Sequence, residues 1–312
     1  MKLLWFVPAF VVLFAGYFTY AMFKYTRMIS NIFLSLVYRP PYEPPSSSRG
    51  ERVTILDSGD REIEALFLEK KGAKRVLIFC HESGAAKESW EKYAYFIPAL
   101  GFHILSADLQ GLGDEEGKNA LAQWPTHDGV ARLSTVIQWC KAALGSEIEI
   151  VLFGVSNGAD TAFAAAFSDP RVKAVVADGL FSMKEIFRDY IRKWAPILVR
   201  PNFFGERYPV WIVNLFTELG FWYSQRKSGR HFVDVEAYLR RRKPRLLMIH
   251  GEKDDYISSS HQRFLEALDA DHSSQHFVVP GAGHNQAVSA ARGEYERTIG
   301  GFLKGLDGHG KP

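Results

Sequence analysis

Residues 147–167 read EIEIVLFGVSNGADTAFAAAF, and the middle of that run decides the architecture. Ile150, Val151, Leu152 and Phe153 make a short apolar run of strand length, and an alanine-rich stretch of helical character starts after Asn157. Gly154 and Gly158 flank Ser156 at the junction. A strand that turns at once into a helix strains the residue at the corner, and glycines on either side let strand and helix approach each other. The serine hydroxyl then stands at the tip of a sharp turn. Without the strand before it and the helix after it, the same five letters would describe only a glycine-rich turn with a solvated serine.

Outward from this turn, short apolar runs alternate with longer amphipathic ones. Residues 53–56 and 63–68 read as a hairpin, and 76–80, 103–107, 148–153, 174–177, 246–249 and 276–279 read as buried strands. Helical stretches fall at 87–100, 130–144, 157–167, 258–270 and 287–306. Strands alternating with helices of this length predict an α/β fold, a mostly parallel sheet of about eight strands flanked by helices. In such sheets the reactive groups gather beyond the carboxyl ends of the strands.

An activated serine needs a base, and the base needs an orienting acid. Two further strand ends supply both. The strand ending at His250 runs into Gly251-Glu252-Lys253-Asp254-Asp255, and the strand ending at Val279 runs into Pro280-Gly281-Ala282-Gly283-His284-Asn285. With Gly-x-Ser-x-Gly, His-Gly-x-x-Asp and Gly-x-Gly-His in this order, the chain resembles an α/β-hydrolase over about residues 53–306. The esterase, lysophospholipase and serine-aminopeptidase-like branch is the part of the superfamily it resembles most.

That resemblance implies Ser156 as nucleophile, Asp254 as acid and His284 as base. Asp255 is the neighbouring alternative acid, and Asp178, after an earlier strand, reads as a loop- or helix-capping residue. The oxyanion hole implied is the backbone N–H of Asn157 together with that of Ser83, in the loop His81-Glu82-Ser83-Gly84-Ala85. Relatives carry glycine where this chain has Glu82, so a carboxylate falls beside the oxyanion site unless it turns away toward a cation. Asp108-Leu109-Gln110-Gly111-Leu112-Gly113 resembles the family's D-x-R-G-x-G turn with glutamine for arginine, and reads as structural.

The reaction expected is hydrolysis of a carboxylic ester or thioester, lipid-derived acyl groups included, through a Ser-His-Asp triad and an acyl-enzyme. One alternative is a serine peptidase of the same fold, aminopeptidase-like, with Glu82 receiving a substrate amine. An alternative of another class is a non-catalytic binding protein that kept the fold. The chemistry calls for no cofactor and no metal. The partner expected is a small-molecule or lipid-like acyl substrate.

Composition sets the outer bounds. The 312 residues are 47% hydrophobic and 23% charged, with a net charge of +3. That is globular chemistry with no nucleic-acid footprint. Cys80 and Cys140 are too few for a disulfide framework or a zinc site.

The remaining expectations concern organisation. Residues 3–23, LLWFVPAFVVLFAGYFTYAMF, carry no charge. They are long enough for the roughly 30 Å hydrocarbon core of a bilayer, so 1–28 reads as a single-pass transmembrane anchor. Lys24, Arg27 and Arg39 follow it, and they tilt the catalytic domain toward the cytoplasmic side. Residues 29–50 then read as an interfacial helix and a Pro/Ser linker, 51–308 as the hydrolase domain, and 309–312 as a tail. An insertion at about 181–243 breaks the strand–helix rhythm and reads as a helical cap. Residues 184–243 hold thirteen Lys and Arg against six Asp and Glu, with many aromatics among them. Such a surface suits the bilayer as a second membrane contact.

Overall fold

Eight strands make one sheet: β1 (Glu51–Leu56), β2 (Glu62–Leu68), β3 (Arg75–Cys80), β4 (Phe102–Ala107), β5 (Glu149–Val155), β6 (Val172–Asp178), β7 (Arg245–Gly251) and β8 (Gln275–Val279). Their order is β1-β2-β4-β3-β5-β6-β7-β8. The pairs β1–β2 and β2–β4 are antiparallel, and every pair from β4–β3 to β7–β8 is parallel. The fold expected from the alternation is therefore the fold found. The computed structural model describes residues 3–35, 48–109, 124–200, 202, 204–241, 244–269 and 273–306. The D-x-R-G-x-G-like turn beyond Leu109, most of the Pro/Ser linker and the tail lie outside them.

The period of two along each central strand builds two cores. Val76, Ile78, Cys80, Ile150, Leu152, Val175, Ala177, Leu246 and Met248 face one side. There they meet α3 (His127–Leu144), α4 (Asn157–Ala165), α7 (Val235–Leu239) and α8 (Ser259–Leu268). Leu77, Phe79, Val151, Phe153, Val176, Leu247 and Ile249 face the other side, against α2 (Trp90–Tyr93) and α10 (Arg292–Lys304). Strands buried on both faces are what a covered parallel sheet requires. They also fix where the carboxyl ends of β5, β7 and β8 emerge.

Two helices are shorter than their sequence patterns imply. The stretch 87–100 is not one helix but a 3₁₀ turn (Lys87–Ser89), α2, and a second 3₁₀ turn (Ile97–Leu100). Pro98 has no N–H to give, Asp108 takes the N–H of Lys87 at 2.7 Å, and Trp90 and Tyr93 are fully buried in the sheet core. The stretch 287–306 breaks at Ala291 (φ −142, ψ 52) into α9 (Ala287–Ala290) and α10.

The chain divides into two compact units: Met1–Leu36 with Lys184–Arg230, and Val37–Met183 with His231–Pro312. The second holds the sheet. The first is helical, with α1 (Leu3–Ser35), most of α5 (Met183–Leu198) and α6 (Val210–Ser228).

The membrane expectations fail here. Among the described residues no helix is long and apolar enough to cross a membrane. That overturns the single-pass anchor over 1–28 and the membrane localisation with its cytoplasmic-side orientation, and it leaves the membrane as a partner without support. Physically, α1 does not stop at the end of the apolar run. It continues through Lys24 and Arg27, and its later turns are packed on protein. Tyr25, Ser30 and Phe33 are buried; the Ser30 hydroxyl donates to the Gly220 carbonyl at 3.0 Å, and the Phe33 ring stacks on Phe187 at 3.9 Å between centroids. The expected interfacial helix is, over its described residues, the end of this same packed helix.

Candidate active site

Ser156 sits between β5 and α4 with φ 51 and ψ −120, one of three non-glycine residues with positive φ among those described. Such a conformation is costly and persists only where the surroundings enforce it. The glycines explain how. A Cβ on Gly154 would collide with the Gly158 carbonyl, and one on Gly158 with the carbonyl of Cys80 on β3. The Ser156 N–H donates to the Asp178 carbonyl at the end of β6, 2.8 Å away. Strand, helix and both neighbouring strand ends thus clamp the corner.

The histidine arrives from the other edge. His284 Nε2 lies 3.0 Å from Ser156 Oγ, and Nδ1 lies 2.8 Å from Asp254 Oδ2. Asp254 Oδ1 accepts the N–H groups of Tyr256 at 2.8 Å and Ile257 at 2.7 Å. A carboxylate so held has only acceptors to offer, so Nδ1 carries the imidazole proton and Nε2 is left free to accept from the serine. Both side chains are nearly enclosed, the His284 side chain at 6% exposure and that of Asp254 at 2%.

The loops bearing them are tied together. The N–H of Glu252 donates to Val279 O, that of Lys253 to Ala282 O, and that of Gly281 to Glu252 Oε2. Gly251 is required at the crossing, since a Cβ there would strike the Ala282 carbonyl. The glycine of His-Gly-x-x-Asp therefore lets the acid loop lie against the histidine loop.

The two rival carboxylates are accounted for. Asp255 is exposed. Asp178 is buried but neither caps a helix nor reaches the histidine nitrogen; its Oδ2 accepts the Tyr295 hydroxyl at 2.8 Å. Burial pushes its carboxyl up to about 7, against the pull of that hydroxyl and of His284.

Of the expected oxyanion donors, Asn157 opens α4, so its N–H belongs to the positive end of the helix. Ser83 lies in a half-buried turn closed by the Ala85 N–H on the Glu82 carbonyl at 3.2 Å. That carbonyl also accepts His81 Nδ1–H at 2.8 Å. The Glu82 side chain turns into the protein. Oε1 accepts the Tyr93 hydroxyl at 3.0 Å and Oε2 the Ser89 hydroxyl at 3.4 Å, while Lys92 Nζ donates to the Tyr93 oxygen. Its cation is therefore one hydroxyl away.

A second buried cluster escaped the sequence reading. Lys87 Nζ donates to Asp108 Oδ2 at 2.7 Å and to Glu64 Oε2 at 2.9 Å, and the Ser106 hydroxyl donates to the Lys87 carbonyl at 2.6 Å. Burial opposes the Lys87 charge, but these two carboxylates and that of Glu88 outweigh it and hold the ammonium above its ordinary value. This cluster fastens the far end of the 81–87 loop to β4. The carboxylate of the D-x-R-G-x-G-like segment was its only signal in the sequence. Cys80 and Cys140 are buried free thiols, and burial pushes both up.

Comparison with known proteins agrees with the fold. The model of the alpha/beta hydrolase family matches residues 77–296. Among solved structures, the chain is similar to the esterase Pf2001 of Pyrococcus furiosus, with a TM-score of 0.62 at 18% identity over 86% of this chain and 98% of that one. It is similar also to the thermophilic esterase Est2 of the planctomycete Thermogutta terrifontis, with a TM-score of 0.58 at 14% identity over 86% and 95%. At such identities the likeness concerns the fold. The uncharacterized protein F37A4.1 of Caenorhabditis elegans is 32% identical over 137 residues, which is 43% of this chain and 27% of that protein's length.

Proposed function

The chain belongs to the alpha/beta hydrolase family, and from that premise we propose that it hydrolyses a carboxylic ester or thioester with Ser156 as nucleophile, His284 as base and Asp254 as orienting acid. The observation carrying this reading is the unbroken run Ser156 Oγ, His284 Nε2, His284 Nδ1, Asp254 Oδ2, with links of 3.0 and 2.8 Å.

In the reaction so read, Ser156 Oγ attacks the acyl carbon as its proton passes to His284 Nε2. Asp254 steadies the imidazolium through Nδ1–H and keeps the tautomer that leaves Nε2 receptive. The N–H groups of Asn157 and Ser83 meet the oxyanion, where one donor is worth about 10²–10³ in rate. The imidazolium then gives its proton to the leaving alkoxide or thiolate. Water, deprotonated by the same imidazole, releases the acid and restores the serine.

The peptidase reading needs Glu82 to face a substrate amine, whereas both its oxygens are taken by Tyr93 and Ser89. The test is turnover of p-nitrophenyl esters of graded acyl length beside aminoacyl p-nitroanilides. Ester cleavage lost in Ser156→Ala is the expected result. Anilide cleavage without ester cleavage would overturn the ester assignment.

A further inference from the structure

The helical unit contains a cavity that the proposed hydrolysis does not use. Its volume is about 150 Å³, and α1, α5 and α6 all contribute to its wall. Ala21, Met22, Tyr25 and Ile29 come from α1, Trp194 from α5 and Ile212 from α6. The cavity opens to solvent past Tyr17, Phe18 and Trp211, which are exposed on its wall, and an apolar space of this volume takes a benzene-sized molecule, about six carbon atoms.

Two tyrosine hydroxyls near the wall are spent on holding it. Tyr25 Oη accepts the Arg200 N–H at 3.0 Å, and the Tyr17 hydroxyl donates to the Arg200 carbonyl at 3.2 Å. Their rings are left facing the space. What surrounds it is positive. Lys24 Nζ lies 5.1 Å from the centroid of the Tyr25 ring, and Lys193 Nζ lies 5.5 Å from that of Trp194. Residues 1–36 and 184–230 together carry twelve Lys and Arg against four Asp and Glu, a formal +8 where the whole chain is +3. Three of those acids are paired within the unit: Glu185 with Arg188 and Arg192, Asp189 with Arg192, and Glu218 with Lys184.

A carbon-lined cavity beside Lys24 and Lys193, which form no ion pair among the described residues, is the complement of an amphiphile with an apolar tail and a negative head. We propose that this cavity binds the tail of a single-chain carboxylate of medium length, with Lys24 foremost among the cations that meet its head. The site is independent of Ser156 and of the hydrolytic reading.

Calorimetric titration of the full chain with octanoate tests it, on the native sequence and on Ser156→Ala. Saturable binding of equal strength to both is expected, with a negative heat-capacity change from apolar burial. Binding that Ser156→Ala abolishes would put octanoate in the hydrolytic site and overturn the proposal. Ala21→Trp, filling the cavity, should weaken binding by at least about tenfold, and Lys24→Gln by several-fold. Val12→Trp, on an exposed turn of α1, should leave it unchanged. Ile29→Phe serves as the cavity-filling variant if Ala21→Trp does not fold by circular dichroism. No saturable heat, unchanged affinity in a folded cavity-filled variant, or octan-1-ol binding as tightly as octanoate would each overturn the proposal.

Discussion

Asp254 holds His284 with one carboxylate oxygen and is itself held through the other. Oδ2 is 2.8 Å from His284 Nδ1, while Oδ1 receives the N–H groups of Tyr256 and Ile257. The carboxylate therefore cannot swing without giving up two backbone hydrogen bonds, and the imidazole inherits that rigidity. Asp255, one residue on, points to solvent.

These neighbours should separate cleanly in kinetics. Asp254→Asn should lower kcat for a p-nitrophenyl ester by about 10⁴, because an amide in that place can stabilise the wrong imidazole tautomer. Asp255→Asn should stay within about twofold. Comparable losses in the two would reassign the acid.

Tyr93 holds the side chain that departs from the family pattern. Tyr93→Phe removes the hydroxyl from Glu82 Oε1 and leaves a buried carboxylate short of one donor. A loss of about 1–3 kcal/mol in urea denaturation is expected. Unchanged stability would mean that Glu82 does not depend on Tyr93.

Lys87 is nearly enclosed and answers three carboxylates, Asp108 and Glu64 through hydrogen bonds and Glu88 at 3.7 Å. Lys87→Met strands Asp108 with its charge, at a cost of about 2–3 kcal/mol, below that of a fully buried pair because Glu64 opens to solvent. Adding Asp108→Leu should restore part of the loss. A double variant no better than the single would show that the cost is one of packing rather than of charge.

Asp178 makes stability depend on pH in a definite sense. Burial raises its folded value to about 7, with Glu82 adding to the rise and Tyr295, His284 and Lys92 opposing it. The folded state therefore prefers the protonated acid. Its contribution is fully present below the ordinary carboxylate value near 3.8 and is lost as pH rises toward 7. Asp178→Asn should gain on the native chain by up to about 4 kcal/mol between pH 4 and 8. Parallel stability–pH curves for the two chains would refute this.

The fold and the site were not equally legible in the sequence. Strand alternation and the glycines of the elbow determine the sheet, because a Cβ at Gly154 or Gly158 has no room. The three motifs lead to Ser156, Asp254 and His284 because each falls at the carboxyl end of a parallel strand. Tyr93, Tyr295 and Lys87 were invisible. A lone tyrosine or lysine has no periodic or spacing signal, and its worth lies in partners 11, 117 and 21 residues away. The misreading of α1 has a related cause. An uncharged run reports hydrophobicity, not where its helix ends: Phe10, Leu13 and Phe23 stay exposed, but α1 runs on through Lys24 and Arg27 to Ser30 and Phe33, which find α6 and α5 in their own helical unit.

The most direct test is covalent. A fluorophosphonate reacts only with a serine that has an acting base, so the account predicts a single adduct, found by peptide mass spectrometry on the peptide bearing Ser156 and absent from both Ser156→Ala and His284→Ala. An adduct on another residue, or labelling that survives either substitution, would contradict it.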